Sequence, residues 1–318
     1  MHRHLAPSLI VSFLLVTAAC GDDAVGPADS GMTVDSGAAD TSVASDTSTP
    51  PVDAAGADRV TASTGPFTVP SGTEDTICVV RRLPLDADVF ATEVRTHIDP
   101  GSHHAIVYRL DTGTPSDEPF PCTPFTDILG GDGLPIVLAQ ESERMVRYPE
   151  GTGLRLSAGQ LVRLELHYIN TTPDPLEVGA NVEFDVTPVT SDVQEIGYIF
   201  SGTTAINVPA RSTGSATQTY SPPPGIRLFG VTTHMHHWGT VATVTLTGEE
   251  IHRSNSWSEP PLDTFDPSIE TSAGDTLQVV CEYENGSDTT VHFGESANDE
   301  MCFMIALYYP SSGFILHI

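Results

Sequence analysis

Apolar and polar side chains alternate along much of this chain. Leu161-Val-Arg-Leu-Glu-Leu-His-Tyr-Ile169 puts Val162, Leu164, Leu166 and Tyr168 on one face and Arg163, Glu165 and His167 on the other. A period of two is the mark of a half-buried strand. Arg227 to Trp238 repeats the pattern, with Phe229, Val231 and Met235 on the inner face and His234 and His236 on the outer. His104 to Leu110, Leu277 to Tyr283 and Phe303 to Tyr309 predict three more strands. Turn clusters such as Asp99-Pro-Gly-Ser102, Gly130-Gly-Asp-Gly133 and Pro222-Pro-Pro-Gly225 separate the runs, and no stretch has the period of an amphipathic helix. With 27 Gly and 25 Pro in 318 residues, the pattern predicts an all-β body of two sandwiches dividing near Thr190.

The first residues follow another pattern. Arg3, the apolar run Leu9 to Val16 and the small residues Thr17-Ala-Ala before Cys20 read as a secretion signal over 1–19. The cysteine directly after such a site resembles the lipobox of bacterial lipoproteins, which implies lipidation at Cys20. Residues 20–65 hold eight aspartates, one arginine and no aromatic residue. Such a segment buries too little apolar surface to offset its ordering entropy, so it is expected to be a disordered acidic tether. The folded body is then expected to comprise 66–190 and 191–318. Together these features predict an exported bacterial lipoprotein, in the periplasm or on the cell surface, held to the membrane only through its lipid.

Charge narrows the chemistry. The formal charge is −29, and all 13 basic residues are arginine. Without lysine there is no P-loop, no kinase β3 lysine and no Schiff base with pyridoxal phosphate. So acidic a chain is a poor partner for nucleic acid. Beyond Cys20 four cysteines remain, Cys78, Cys122, Cys281 and Cys302. An even number in an exported chain predicts two disulfides, and three pairings are open. The local one keeps each bridge within one half. No C-x-x-C pair suggests a thiolate zinc site.

Twelve histidines are unevenly placed. His234 and His236, two apart on a strand, would point the same way, as two nitrogen ligands of one metal must. The doublet His103-His104 can share a metal only at a bulge or strand end, and Pro100-Gly101-Ser102 offers that irregularity. Imidazole suits zinc, copper, iron and nickel, whereas a thioether selects Cu(I), so two histidines with a methionine argue for copper.

These residues resemble the type II copper, ascorbate-dependent monooxygenases, the family of the peptidylglycine α-hydroxylating and dopamine β-monooxygenases. The matching segments, in family order, are Ser102-His103-His104-Ala, Glu165-Leu-His167-Tyr, Thr233-His234-Met-His236-His237 and Asp299-Glu-Met301-Cys302. Asp75-Thr-Ile-Cys78 and Thr290-Val-His292-Phe-Gly also fit, so the likeness spans nearly the whole body. It implies two jelly-roll-like β-sandwich domains in tandem and two coppers per chain, facing each other across a solvent-filled cleft. His103, His104 and His167 would hold an electron-transfer copper. His234, His236 and Met301 would hold an oxygen-binding copper, with Cys281–Cys302 clamping the strand that presents Met301. Ascorbate or another one-electron reductant would reload both metals.

The resemblance implies an enzyme that uses O2 to hydroxylate a C–H bond of a small molecule or peptide. Departures bear on the substrate. The peptide-hydroxylating branch anchors a carboxylate with an arginine and a tyrosine where this chain has Thr232 and Ile305, and Phe303 replaces a polar residue. Peptides ending in glycine are therefore not the expected substrate. Two other readings remain: a non-catalytic periplasmic copper-binding lipoprotein on the same scaffold, and an adhesive sandwich with incidental histidines. His237 is expected to be a neighbour of the ligands, and His292 a supporting residue at most. His97, His252 and His317 are expected to be uninvolved, and Trp238 and Trp257 to pack or line the cleft.

Overall fold

The computed structural model describes residues 58–116, 118–123, 125, 133–190 and 192–318. The signal segment, Cys20 and the tether up to residue 57 lie outside them. Among the described residues every regular element is a strand and none is a helix, as the alternation predicts. The first half supplies β1 (Asp58–Ser63), β2 (Phe67–Val69), β3 (Glu74–Arg82), β4 (Val89–Ile98), β5 (Ser102–Leu110) and β6 (Phe120–Pro121). It continues with β7 (Gly133–Ala139), β8 (Glu143–Arg147), β9 (Thr152–Leu156), β10 (Leu161–Ile169), β11 (Leu176–Val178) and β12 (Ala180–Pro188). After β13 (Gln194–Glu195) come β14 (Gly197–Gly202), β15 (Asn207–Val208), β16 (Ser212–Tyr220), β17 (Arg227–His234) and β18 (Gly239–Leu246). The last are β19 (Glu249–Ser254), β20 (Asp263–Glu270), β21 (Leu277–Asn285), β22 (Val291–His292), β23 (Phe303–Tyr309) and β24 (Ile315–His317).

The first half forms an outer sheet, β1-β12-β4-β9-β13 with β8 beside β4, and an inner sheet, β6-β3-β10-β5-β7. The second half forms an inner sheet, β20-β17-β23-β14-β24, and an outer sheet, β16-β21-β18-β19. The strand orders correspond. β1-β12-β4-β9 matches β14-β23-β17-β20, and β3-β10-β5-β7 matches β16-β21-β18-β19. A shared turn confirms the internal repeat. The buried Asn170 amide donates to the carbonyls of Val69, Pro70 and Asp174, while its oxygen accepts from Thr172. Asn285 repeats this with Val208, Pro209, Thr289 and Ser287.

Three apolar layers separate the four large sheets. Val94, Val182 and Phe184 meet Val107, Val162 and Leu164 inside the first sandwich. Ile199, Val231 and Ala306 meet Val244, Val279 and Tyr283 inside the second. Between the sandwiches, Val80, Ile106 and Tyr108 of the first inner sheet pack on Phe200, Phe303 and Ile305 of the second. The polar face of β10 therefore looks into an interface rather than into water, and Glu165 and His167 are buried on it.

One boundary shifts. The tether was expected to reach residue 65, yet β1 pairs along its whole length with β12, because Val60 and Ala62 bury their side chains in the first core. β13, past the expected division near Thr190, pairs with β9 of the first half. The disulfides take the local pairing, Cys78–Cys122 and Cys281–Cys302. The second ties the outer-sheet strand β21 to the residue before β23, beside Met301.

Candidate metal centre

Backbone irregularities set the histidines. Ser102 N–H closes a turn onto the Asp99 carbonyl at 3.0 Å, and Gly101 there has a φ of +88°, open only to glycine at little cost. In the β10–β5 ladder His167 faces His104 but Tyr168 faces Ser102, leaving His103 as the extra residue of a bulge. The bulge lets neighbouring histidines turn to one side. The His103 and His104 ring centroids are 5.3 Å apart, and they lie 5.4 and 5.2 Å from that of His167.

The strand expected over Arg227–Trp238 ends at His234. Beyond it the buried Glu300 carboxylate accepts the N–H groups of His236 at 3.0 Å and Trp238 at 2.7 Å. Those donors are thereby withdrawn from any ladder, and Gly239 N–H closes the turn onto the His236 carbonyl at 2.9 Å. His234 and His236 nevertheless stay close, with rings 5.3 Å apart and nearly perpendicular. Met301 N–H donates at 3.1 Å to Glu300 Oε2, the oxygen that also accepts His236 N–H. Its buried side chain joins Phe125, Phe200 and Phe303 between the sandwiches.

The two expected ligand groups meet. His234 lies 5.7 Å from His103 and 5.4 Å from His104, and His236 lies 5.9 Å from His103, measured between ring centroids. One ring nitrogen from each of His103, His104 and His234 fits within a mutual 4.8 Å. The solvent-filled cleft expected between the metal sites is therefore corrected to a buried cluster. The inner sheets pack directly through Val80, Ile106, Phe200 and Ile305, and the rings of the two groups approach to 5.4 Å between centroids.

Most of these nitrogens lack partners. His103 Nε2, both nitrogens of His104, His167 Nδ1, His234 Nε2 and both of His236 are buried without a hydrogen bond. An orphaned buried polar group costs about 1–3 kcal/mol, so a protein does not gather so many idly. Burial, helped by the neighbouring histidines, holds His103, His104 and His234 well below the usual imidazole range, and His236 at about 4. Neutral rings with free lone pairs are the form that binds metal. A set of neutral imidazoles with free lone pairs fits copper among the borderline metals.

Carboxylates and amides brace the rings. Glu74 Oε1 lies 3.3 Å from His167 Nε2 and accepts Ala297 N–H at 2.8 Å. The bond to His167 is the main reason its carboxyl sits at about 2, against the opposing effect of burial. Gln140 Oε1 is 2.5 Å from His234 Nδ1. Glu165, with an oxygen 3.6 Å from His104 Nε2, accepts from the Tyr108 hydroxyl at 3.0 Å and Phe125 N–H at 3.2 Å. Burial pushes its carboxyl up to about 7. Glu74 and Gln140 carry no local sequence signal, since each acts on a residue more than sixty positions away, while Glu300 lies in the matched Asp299-Glu-Met301 segment but was not read as a brace.

The other histidines stand apart. His237 is half-buried, lies tilted against Trp238 with ring centroids 4.0 Å apart and bonds the Ala297 carbonyl. His292 is exposed. His97 lies between Asp99 and Glu143 at the surface, and His317 contacts Ser201. His252 is buried and satisfied, between Asp263 at 2.8 Å and the Thr233 hydroxyl at 3.1 Å. A cleft of about 500 Å³ reaches His103 from outside, with Asp99, Gln140, Trp257 and Glu259 on its walls and no arginine among the described residues that line it.

Residues 185–315 match the family described as copper type II ascorbate-dependent monooxygenase, C-terminal domain. The peptidyl-glycine alpha-amidating monooxygenase A of Xenopus laevis is 25% identical over 262 residues, covering 77% of this chain and 27% of the relative. The tyramine beta-hydroxylase of Caenorhabditis briggsae is 25% identical, covering 79% and 48%. The dopamine beta-hydroxylase of Canis lupus familiaris is 28% identical, covering 53% and 31%. The chain thus spans between a quarter and a half of these relatives' length. Both comparisons support the type II copper, ascorbate-dependent monooxygenase family, as the sequence motifs do.

Proposed function

We propose that this chain is a copper-dependent monooxygenase that hydroxylates a C–H bond of a small molecule or peptide, using O2 and ascorbate or a similar one-electron reductant. The observation that carries the reading is the buried gathering of imidazoles with unpartnered nitrogens, drawn from both sandwiches. In this reading His103, His104 and His167 hold one copper and His234, His236 and Met301 the other, two per chain. Copper supplies the redox chemistry and the activation of O2. The chain's residues do the rest. Glu74 and Gln140 orient ligand rings, Glu300 holds the His236 turn against the Met301 backbone, and the aromatic packing around Met301 keeps water from the reacting centre.

The cleft beside His103 supports a view of the substrate. Asp99, Glu259 and Trp257 suit a cationic or neutral molecule better than a carboxylate. Two of the relatives are named for the amines tyramine and dopamine. Thr232 and Ile305 offer nothing to grip a C-terminal glycine, so N-acylglycines should not turn over. The tandem jelly-roll division near residue 190 and the exported, Cys20-anchored location belong to the same proposal, and the disulfides fit an oxidising compartment.

The test is metal analysis with oxygen uptake on the full chain. The reading expects two coppers per chain and ascorbate-dependent O2 consumption coupled to a hydroxylated product. Copper binding without turnover on any C–H substrate would instead favour the copper-binding lipoprotein, and no copper binding would end both readings.

A further inference from the structure

We propose that Gln140 is a positioning residue for the metal centre. It fixes the tautomer of His234 and thereby determines which ring nitrogen faces the metal. The inference rests on the copper reading above but adds a residue from outside the resemblance motifs.

The amide can sit only one way round. Gln140 Nε2 donates to the Thr233 carbonyl at 3.1 Å. Turned over, it would set its oxygen against that carbonyl and its NH2 against the imidazole. Its Oε1 therefore faces His234 Nδ1 at 2.5 Å, and an oxygen acceptor there requires the hydrogen on Nδ1. The ring's lone pair is then on Nε2, the nitrogen left buried and unpartnered. That same residue contributes a nitrogen to the cluster with His103 and His104. Metal-bound histidines commonly have their second nitrogen fixed by such a partner.

Three features make this more than packing. Gln140 is itself buried, so its two hydrogen bonds do not compete with bulk water. Its backbone partner is held as well, because the Thr233 hydroxyl donates to His252, whose other nitrogen donates to Asp263. Finally, Gln140 follows β7 of the first half while His234 ends β17 of the second, so one sandwich sets the tautomer of a ligand carried by the other. Glu74 does the converse for His167. It holds Nε2 and leaves Nδ1 without a partner, so the two braced histidines offer opposite nitrogens.

Two measurements on the full chain test this. Long-range 15N–1H NMR of the metal-free protein should show His234 protonated at Nδ1 with a bare Nε2, and the opposite tautomer would overturn the proposal. Copper affinity by chelator competition, with Cu(II) EPR, is then compared across Gln140→Leu and Gln140→Glu. The leucine variant should lose about 10–100-fold in affinity at one copper and change its hyperfine splitting. The glutamate variant, which keeps an acceptor for Nδ1–H, should stay within a few-fold of the parent. Parental affinity and spectrum in the leucine variant would refute the role, as would equal losses in both variants. If the parent binds no copper the functional reading fails, while the NMR result still tests the tautomer.

Discussion

Glu300→Gln is the most informative single substitution for the stability of the site. The carboxylate lies fully inside the protein and accepts three backbone donors, from His236 at 3.0 Å, Trp238 at 2.7 Å and Met301 at 3.1 Å. Glutamine keeps the shape but exchanges one oxygen for NH2, so at least one donor must face another donor. The orphaned N–H costs about 1–3 kcal/mol, and each surviving bond weakens by about 0.5–1 kcal/mol when the acceptor loses its charge. Relief from burying the carboxylate, which lifts its pKa to about 7, offsets part of this. The net loss should be about 2–3 kcal/mol, or roughly 5–10 °C in the unfolding midpoint of a chain this size. The assay is thermal unfolding of the metal-free protein by circular dichroism. Glu250→Gln, which breaks an exposed pair with Arg253, serves as the control and should leave the midpoint unchanged. A Glu300→Gln midpoint within about 1 °C of the parent would refute the claim that this carboxylate organises the turn.

Other outcomes follow from the same geometry. His104 is fully buried with neither nitrogen bonded, so His104→Leu should abolish binding of one copper and turnover while raising the midpoint of the metal-free protein. A lower midpoint would mean that the ring is a packing residue. Removing the Cys281–Cys302 bridge by double serine substitution opens a loop of sequence separation 21 and should cost roughly 3 kcal/mol in denaturant unfolding. It should also weaken the copper assigned to Met301, and unchanged copper affinity would separate the bridge from the site. Asp99→Asn with Glu259→Gln removes two negative charges from the cleft wall and should speed reduction by anionic ascorbate several-fold at low salt. Stopped-flow rates should converge with the parent's as salt rises, and equal rates at all ionic strengths would place reductant entry elsewhere.

The strands were legible because alternation reports the pleat directly. β23 occupies the predicted Phe303–Tyr309, and β10 the predicted Leu161–Ile169. What sits opposite a polar face was not legible. His167 and Glu165 read as the polar face of a half-buried strand, and only the stacking of the inner sheets shows them buried. The need for a bulge at His103-His104 could be argued from two adjacent ligands, whereas the end of β17 at His234 could not, because it depends on a carboxylate more than sixty residues downstream. The internal repeat did have a sequence signal. Tyr168-Ile-Asn170-Thr-Thr172 and Tyr283-Glu-Asn285-Gly-Ser287 share spacing, as do Val69-Pro70 and Val208-Pro209. The ring-bracing residues had none, since a glutamine in Ala139-Gln-Glu-Ser142 is ordinary until the fold carries it to His234.

Copper-edge anomalous diffraction from crystals of the full chain loaded with copper tests the central claim most directly. The account predicts two anomalous peaks per chain, one within bonding distance of ring nitrogens of His103, His104 and His167 and the other of His234, His236 and the Met301 sulfur. Crystals that bind copper only at surface sites, leaving those nitrogens bare, would contradict it.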